Sequence, residues 1–167
     1  MNSSSFLPLR VCRADYRNAV HAAALVELLD AYAQDPAGGG EALSDFCKTH
    51  LVSELAARPQ AFSVMAFVGE QAVGLINCIE GFSTFACRPL VNIHDVAVLP
   101  GFRGRRIGGQ MLELVATIAR ERNACKLTLE VLPGNTPAVR LYERTGFAGY
   151  QLDPALGHAT FMQKWLA

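Results

Sequence analysis

Residues 96–112 read Val-Ala-Val-Leu-Pro-Gly-Phe-Arg-Gly-Arg-Arg-Ile-Gly-Gly-Gln-Met-Leu. An apolar run, a turn rich in glycine and arginine, and an amphipathic run follow one another. This predicts strand, turn and helix in that order, and it places several backbone N–H groups at a helix start. First-turn amides have no partner inside the helix, and the helix dipole favours negative charge there. Gly104, Gly108 and Gly109 let a ligand approach the main chain closely. Arg103, Arg105 and Arg106 add cationic, fork-shaped donors that suit phosphate. The stretch reads as an anion site for a diphosphate, or else as a glycine-rich helix start beside solvated arginines.

Neither of the better-known phosphate loops fits. Lys48-Thr49 has no glycines before it, so there is no Walker loop, and Gly101, Gly104, Gly108 and Gly109 miss the dinucleotide spacing. The 15 basic and 15 acidic residues cancel, which gives no bulk attraction to nucleic acid or an anionic membrane. Hydrophobic residues make up 51% of the 167, enough for a real core in one domain spanning 1–167. The five cysteines (Cys12, Cys47, Cys78, Cys87 and Cys125) are scattered, with no Cys-x-x-Cys pair. Buried thiols in a reducing compartment are the expectation. The first residues lack a basic region before an apolar core, and no apolar run approaches a membrane span. A cytoplasmic protein is expected. His21, His50 and His158 have no ligand spacing, so no metal is assigned.

Periodicity and breakers predict a strand at 9–13 and helices at 18–34 and 41–58, the second stopped by Pro59. Strands at 61–68 and 71–79 flank a tight Gly69-Glu70 turn. Residues 81–89 read as a loop, 90–99 as a central strand, and 107–122 as a helix with Ile107, Met111, Leu114, Val115 and Ile118 on one face. A strand at 125–131 and a helix at 136–144 follow, then an antiparallel pair at 147–152 and 159–165.

A second motif lies downstream. Residues 135–147 read Asn-Thr-Pro-Ala-Val-Arg-Leu-Tyr-Glu-Arg-Thr-Gly-Phe. Asn-x-x-Ala-x-x-x-Tyr followed by Gly-Phe, placed after Arg-x-x-x-x-Gly, resembles the GNAT superfamily of N-acetyltransferases. The match covers roughly residues 92–150. The resemblance implies an α/β fold: a mixed, mostly antiparallel sheet of six or seven strands with a splayed parallel central pair, flanked by about four helices. It implies acetyl-CoA as cofactor, its pantetheine arm paired with the backbone of Val96, Ala97 and Val98. The diphosphate would then rest on Arg103, Gly104, Arg105, Arg106, Ile107, Gly108 and Gly109, with Asn135 contacting the cofactor or capping its helix. The family pattern has glycine where this chain has Arg106; if positive φ is needed there, the strain is about 1 kcal/mol.

Tyr142 matches the family tyrosine that protonates the CoA sulfur, although a core aromatic beside Leu141 would look the same. A phenol, with a reference pKa near 10, is a reasonable proton donor to a thiolate. His94 and Asp95 are two titratable residues in an otherwise apolar strand. Family members acting on small amines often carry acids at these positions, so the base is Asp95 first and His94 second. Strand alternation would send the two to opposite faces. Either is otherwise a sheet-surface group, and Asp95 can instead bind the amine while water relays the proton. Glu80 and Glu130 are candidates for holding a cationic amine, with solvated or structural roles as the alternative; Phe82 and Phe85 are candidates for walling the acceptor pocket. The implied reaction is acetyl transfer to a primary amine of a small polyamine-, aminoglycoside- or amino-acid-like molecule. The alternatives are a protein or peptide acceptor, or an acyl-CoA-binding module without turnover. The apolar end at 161–166 suits the homodimer pairing of many relatives, and equally a core strand.

Overall fold

The apolar runs that the sequence marks as strands pair into one five-stranded sheet among the described residues. A computed structural model of the chain describes residues 7–150, 153, 155, 157 and 159–166. They divide into two units, Met1–Leu129 and Glu130–Ala167.

The first unit contains β1 (Leu9–Arg13), α1 (Ala19–Ala33), α2 (Asp45–Ala56), β2 (Ala61–Val68), β3 (Gln71–Ser83), β4 (Arg88–Val98), α3 (Ile107–Glu121) and β5 (Leu127–Leu129). A 3-10 turn at Pro100–Phe102 precedes α3. The strands lie in sequence order, the first four antiparallel. β5 joins β4 in parallel after the α3 crossover, which is the mixed sheet expected.

Local chemistry explains the helix starts. Asn18 accepts from the amides of Val20 and His21, so α1 begins at Ala19. α2 begins at Asp45, later than the expected 41, because Ser44 caps the Cys47 amide. The preceding Leu43 amide is taken by Asp30 at 2.8 Å, which holds that segment out of the helix. Lys48 also reaches Asp30, at 3.0 Å.

Each face of the sheet is covered. Met65, Phe67, Leu75 and Ala97 meet Ala24, Leu25, Leu28 and Leu29 of α1. On the opposite face α3 buries Ile107, Met111, Leu112, Val115 and Ile118, a single apolar stripe. Each such side chain contributes about 1.5–3 kcal/mol on burial. Gly74 lets Met111 lie on the strand, since a Cβ there would stand 3.0 Å from the Met111 sulfur.

The second unit carries α4 (Thr136–Arg144). Asn135 caps it by accepting from the Ala138 amide at 3.3 Å. Gly146, at φ +92°, ends it, and the Phe147 amide returns to the Tyr142 carbonyl at 3.0 Å.

Two expectations change. Residues 81–89 are not a loop: Gly81, Phe82 and Ser83 pair with Leu90, Pro89 and Arg88, leaving a turn at 84–87. The antiparallel pair at 147–152 and 159–165 is absent among the described residues, and 151–152 lie outside them. Among the described residues the sheet has five strands, where six or seven were expected. Apolar residues at 161–166 mark surface that can be buried, but a strand also needs a neighbouring edge for its N–H and C=O groups.

Arg106 stands in the left-handed region at φ +61° as the residue before α3. A side chain there is strained, so Arg106→Gly should raise stability by about 0.5–1 kcal/mol in urea denaturation, after the greater freedom of glycine in the unfolded chain is deducted. The thiols should also sort by environment. Burial pushes Cys78 up to about 12, whereas Cys87 is exposed on the β3–β4 turn. An aromatic disulfide reagent should label Cys87 in the native protein and reach Cys78 only after unfolding.

Candidate functional site

The end of β4 organises the site. β5 pairs only with Val91, Asn92 and Ile93. Beyond Ile93, residues 94–98 have no strand on that side among the described residues. The pairing of the parallel pair therefore ends at Ile93 and Leu129. A β-bulge lies at the same point: Asn77 pairs with Asp95 and Cys78 with Ile93, which leaves His94 as the extra residue. The bulge overturns the simple alternation expected for His94 and Asp95. Ile93 and Val96 oppose Cys78 and Ile76 on one face, so two residues stand between them where alternation allows one, and His94 is exposed while Asp95 is half-buried.

Asp95 does not stand alone. Asn77 Nδ2 donates to Asp95 Oδ2 at 3.0 Å. Ser63 Oγ donates to Asn77 Oδ1 at 2.6 Å, and the Tyr16 hydroxyl lies 2.9 Å from Ser63 Oγ. Tyr32, near the end of α1, has its phenol pushed up first by burial and then by the charges of Asp95 and Asp35. Tyr16, Ser63, Asn77, Tyr32 and Asp35 were not among the residues expected to matter. Ser63 and Asn77 carry a legible signal, as polar side chains inside otherwise apolar strands. Tyr32 and Asp35 are ordinary at the end of an alanine-rich helix, so their placement comes from packing alone.

The expected anion loop keeps its donors. Among residues 104–109 no backbone N–H donates to another backbone group; Gln110 is the first, to the Arg106 carbonyl at 3.2 Å. Gly104 and Arg106 both adopt positive φ, which turns the chain into the helix start. Ile107 and Gly108 are buried where α3 meets the sheet, and Gly109 is half-buried. A free strand edge followed by unpaired amides suits an extended arm ending in a diphosphate.

The arginines differ. Arg105 lies over the Phe102 ring at 5.1 Å and is exposed, as is Arg106. Arg103 folds back instead: its Nε donates to the Val98 carbonyl at 2.9 Å and its Nη2 pairs with Asp35 at 2.9 Å. Asp35 is held below the usual carboxylate value, first by the Ala37 amide and then by Arg103. That contribution is present above the ordinary value of 3.8 and is lost as pH falls through the lowered one. Arg103 thereby ties the end of β4 to the segment after α1. Val96, Ala97 and Val98 lie along the open edge, with the Val98 carbonyl already accepting from Arg103.

Several expected residues lie elsewhere. Glu80 is on the α3 face and pairs with Arg122 at 3.1 Å, away from the face that carries Asp95, so it is dropped from the acceptor site. Phe82 is 59% and Phe85 104% exposed on the hairpin. Glu130 is exposed and opens the second unit. In that unit Tyr142 is buried and meets Phe147 edge-on at 5.9 Å, and Asn135 caps α4. Among the described residues no group of three or more His, Cys, Asp or Glu could hold a metal, and His158 lies outside them.

Streptothricin acetyltransferase of Streptomyces lavendulae is 41% identical over 92 residues, 53% of this chain and 49% of that protein. The chain spans about half the length of the curated relatives it matches. A probable acetyltransferase of known structure superposes with a TM-score of 0.78 at 18% identity, covering 95% of this chain and 99% of the other. AAC(6')-Iy, solved with the bisubstrate analog CoA-S-monomethyl-acetylneamine, gives 0.75 at 16% identity, covering 95% and 99%. A sequence model of the Acetyltransferase (GNAT) family matches residues 25–147, from inside α1 through the loop before α3 to the Gly-Phe pair after Tyr142. The chain therefore belongs to the GNAT family of acetyltransferases.

Proposed function

We propose that this protein transfers an acetyl group from acetyl-CoA to a primary amine of a small, cationic molecule. One observation carries the reading: the open edge of β4, the run of free amides after it and the half-buried Asp95 fall on one continuous stretch. Its relatives support the small-molecule acceptor, since one is a streptothricin acetyltransferase and another was solved with an acetylneamine conjugate.

Acetyl-CoA, when bound, supplies the acyl group as a thioester. The backbone at 94–98 offers groups for the pantetheine arm, and the amides of 104–109 for the diphosphate. Arg105 and Arg106 are placed to add charge at that loop, whereas Arg103 holds its shape. An acceptor amine is an ammonium ion at neutral pH and must shed a proton before it attacks. Asp95 binds that cation and takes the proton, directly or through water, with His94 beside it at the bulge. Tyr142 is the acid that returns a proton to the sulfur; this assignment rests on the Asn135-to-Phe147 motif. The five free cysteines accord with a reducing, cytoplasmic setting, and no described helix is long and apolar enough to cross a membrane. A homodimer remains part of the proposal, with its mode of pairing unassigned.

Titration calorimetry should show CoA and acetyl-CoA binding, and a panel of small amines should release free thiol. No CoA binding would overturn the reading. Turnover only on peptide amines would move the acceptor to that class, and binding without turnover on any amine would leave an acyl-CoA-binding module. Tyr142→Phe should lower kcat about 100-fold with acetyl-CoA affinity retained. Equal turnover would remove Tyr142 as the acid.

A further inference from the structure

Ser63, Asn77 and Asp95 form one row across three adjacent strands, since Ser63 pairs with Asn77 and Asn77 with Asp95. The neighbouring row on the same face is Met65, Leu75 and Ala97, wholly apolar. Ser63 is 0% and Asn77 6% exposed, so the polar row stands inside the core. Buried polar groups are costly unless every partner is present. Here Ser63 and Asn77 are both hydrogen-bonded, and the chemistry sets the direction of each bond.

An ionised carboxylate only accepts. Asn77 must therefore turn its amide nitrogen to Asp95 Oδ2, which leaves its oxygen facing Ser63. Ser63 has one proton and gives it to Asn77 Oδ1, so its oxygen accepts from the Tyr16 hydroxyl. Burial raises Tyr16, which keeps that phenol protonated. Tyr16 is itself placed by β1, because the Ala14 amide still pairs with the Ser63 carbonyl at 2.8 Å. Three hydrogen bonds thus point one way and end on a single oxygen of Asp95. The other oxygen, Oδ1, has no hydrogen bond among the described residues.

We propose that Asn77, itself oriented by Ser63 and Tyr16, is the positioning residue that fixes Asp95 Oδ2 and leaves Oδ1 to meet the acceptor ammonium group. The proposal rests on Asp95 acting on the acceptor, as argued above. Asn77 touches no substrate. Its effect is to hold one carboxylate rotamer beside a bulge that would otherwise let Asp95 swing.

The test is a double-mutant cycle on the full chain, read as kcat/KM for the amine that turns over, with CoA affinity measured alongside. Asn77→Leu should lower kcat/KM by about 10- to 100-fold while CoA binding holds. Tyr16→Phe, which keeps the ring and is the milder change, should lower it a few-fold. In an Asp95→Asn background neither substitution should cost more, because nothing remains to position. A crystal structure of Tyr16→Phe or Asn77→Leu should show the Asp95 carboxylate turned or split between rotamers, a readout that needs no substrate. Equal losses with and without Asp95 would make the row merely structural and overturn the proposal. So would full activity in Asn77→Leu with Asp95 unmoved, whereas full activity in Asp95→Asn would remove Asp95 from the acceptor chemistry itself.

Discussion

At His94 the β4 ladder carries one residue more than β3 opposite it, and Ile93 just before it is the last residue paired with β5. A bulge bends its strand and locally increases twist. The pairing with β5 stops at the same place, so among the described residues 94–98 have no strand on that side. The opening leaves backbone groups for a ligand to pair with, and the extra residue changes the facing of the side chains around it. Asp95 becomes half-buried, in line with Asn77 and Ser63, while His94 reaches solvent.

The loop after β4 shows a different balance. Its amides remain unpaired as at any helix start, and Gly104 and Arg106 hold left-handed backbone just before α3. Arginine is a poor residue for that conformation, at a cost of about 1 kcal/mol. The buried stripe from Ile107 to Ile118 outweighs this many times over, so the helix start is held in place from behind. Arg103 supports it from the side through the Val98 carbonyl and Asp35. Its guanidinium is largely exposed, so the ion pair itself contributes between nothing and about 1 kcal/mol. Its value lies in joining two segments that meet only in the folded chain.

The sequence was a good guide wherever short-range chemistry decides. α1, β2 and α4 start or end within a residue of their signals because caps, turns and alternation act over a few residues. It misled where a partner from elsewhere decides. The run at 81–89 has Gly81, Pro89 and polar residues between, yet its ends pair because β3 and β4 already lie side by side. Phe85 is thereby carried out on the hairpin turn, with Phe82 exposed on the strand that leads to it. Glu80 has nothing near it in sequence to suggest a cation, and its partner Arg122 is 42 residues away.

From its residues alone the chain showed a glycine- and arginine-rich helix start, two motifs at the family's separation, and an acid within an apolar strand. Those features are local: each depends on a few neighbouring side chains and the backbone between them. Only the tertiary structure decided that the bulge falls at His94, that Arg103 ties to Asp35, and that Tyr16, Ser63 and Asn77 converge on Asp95. A bulge is a mismatch between two strands, and a hydrogen-bonded row crosses several. Neither exists until the register is set, and register is a property of paired strands.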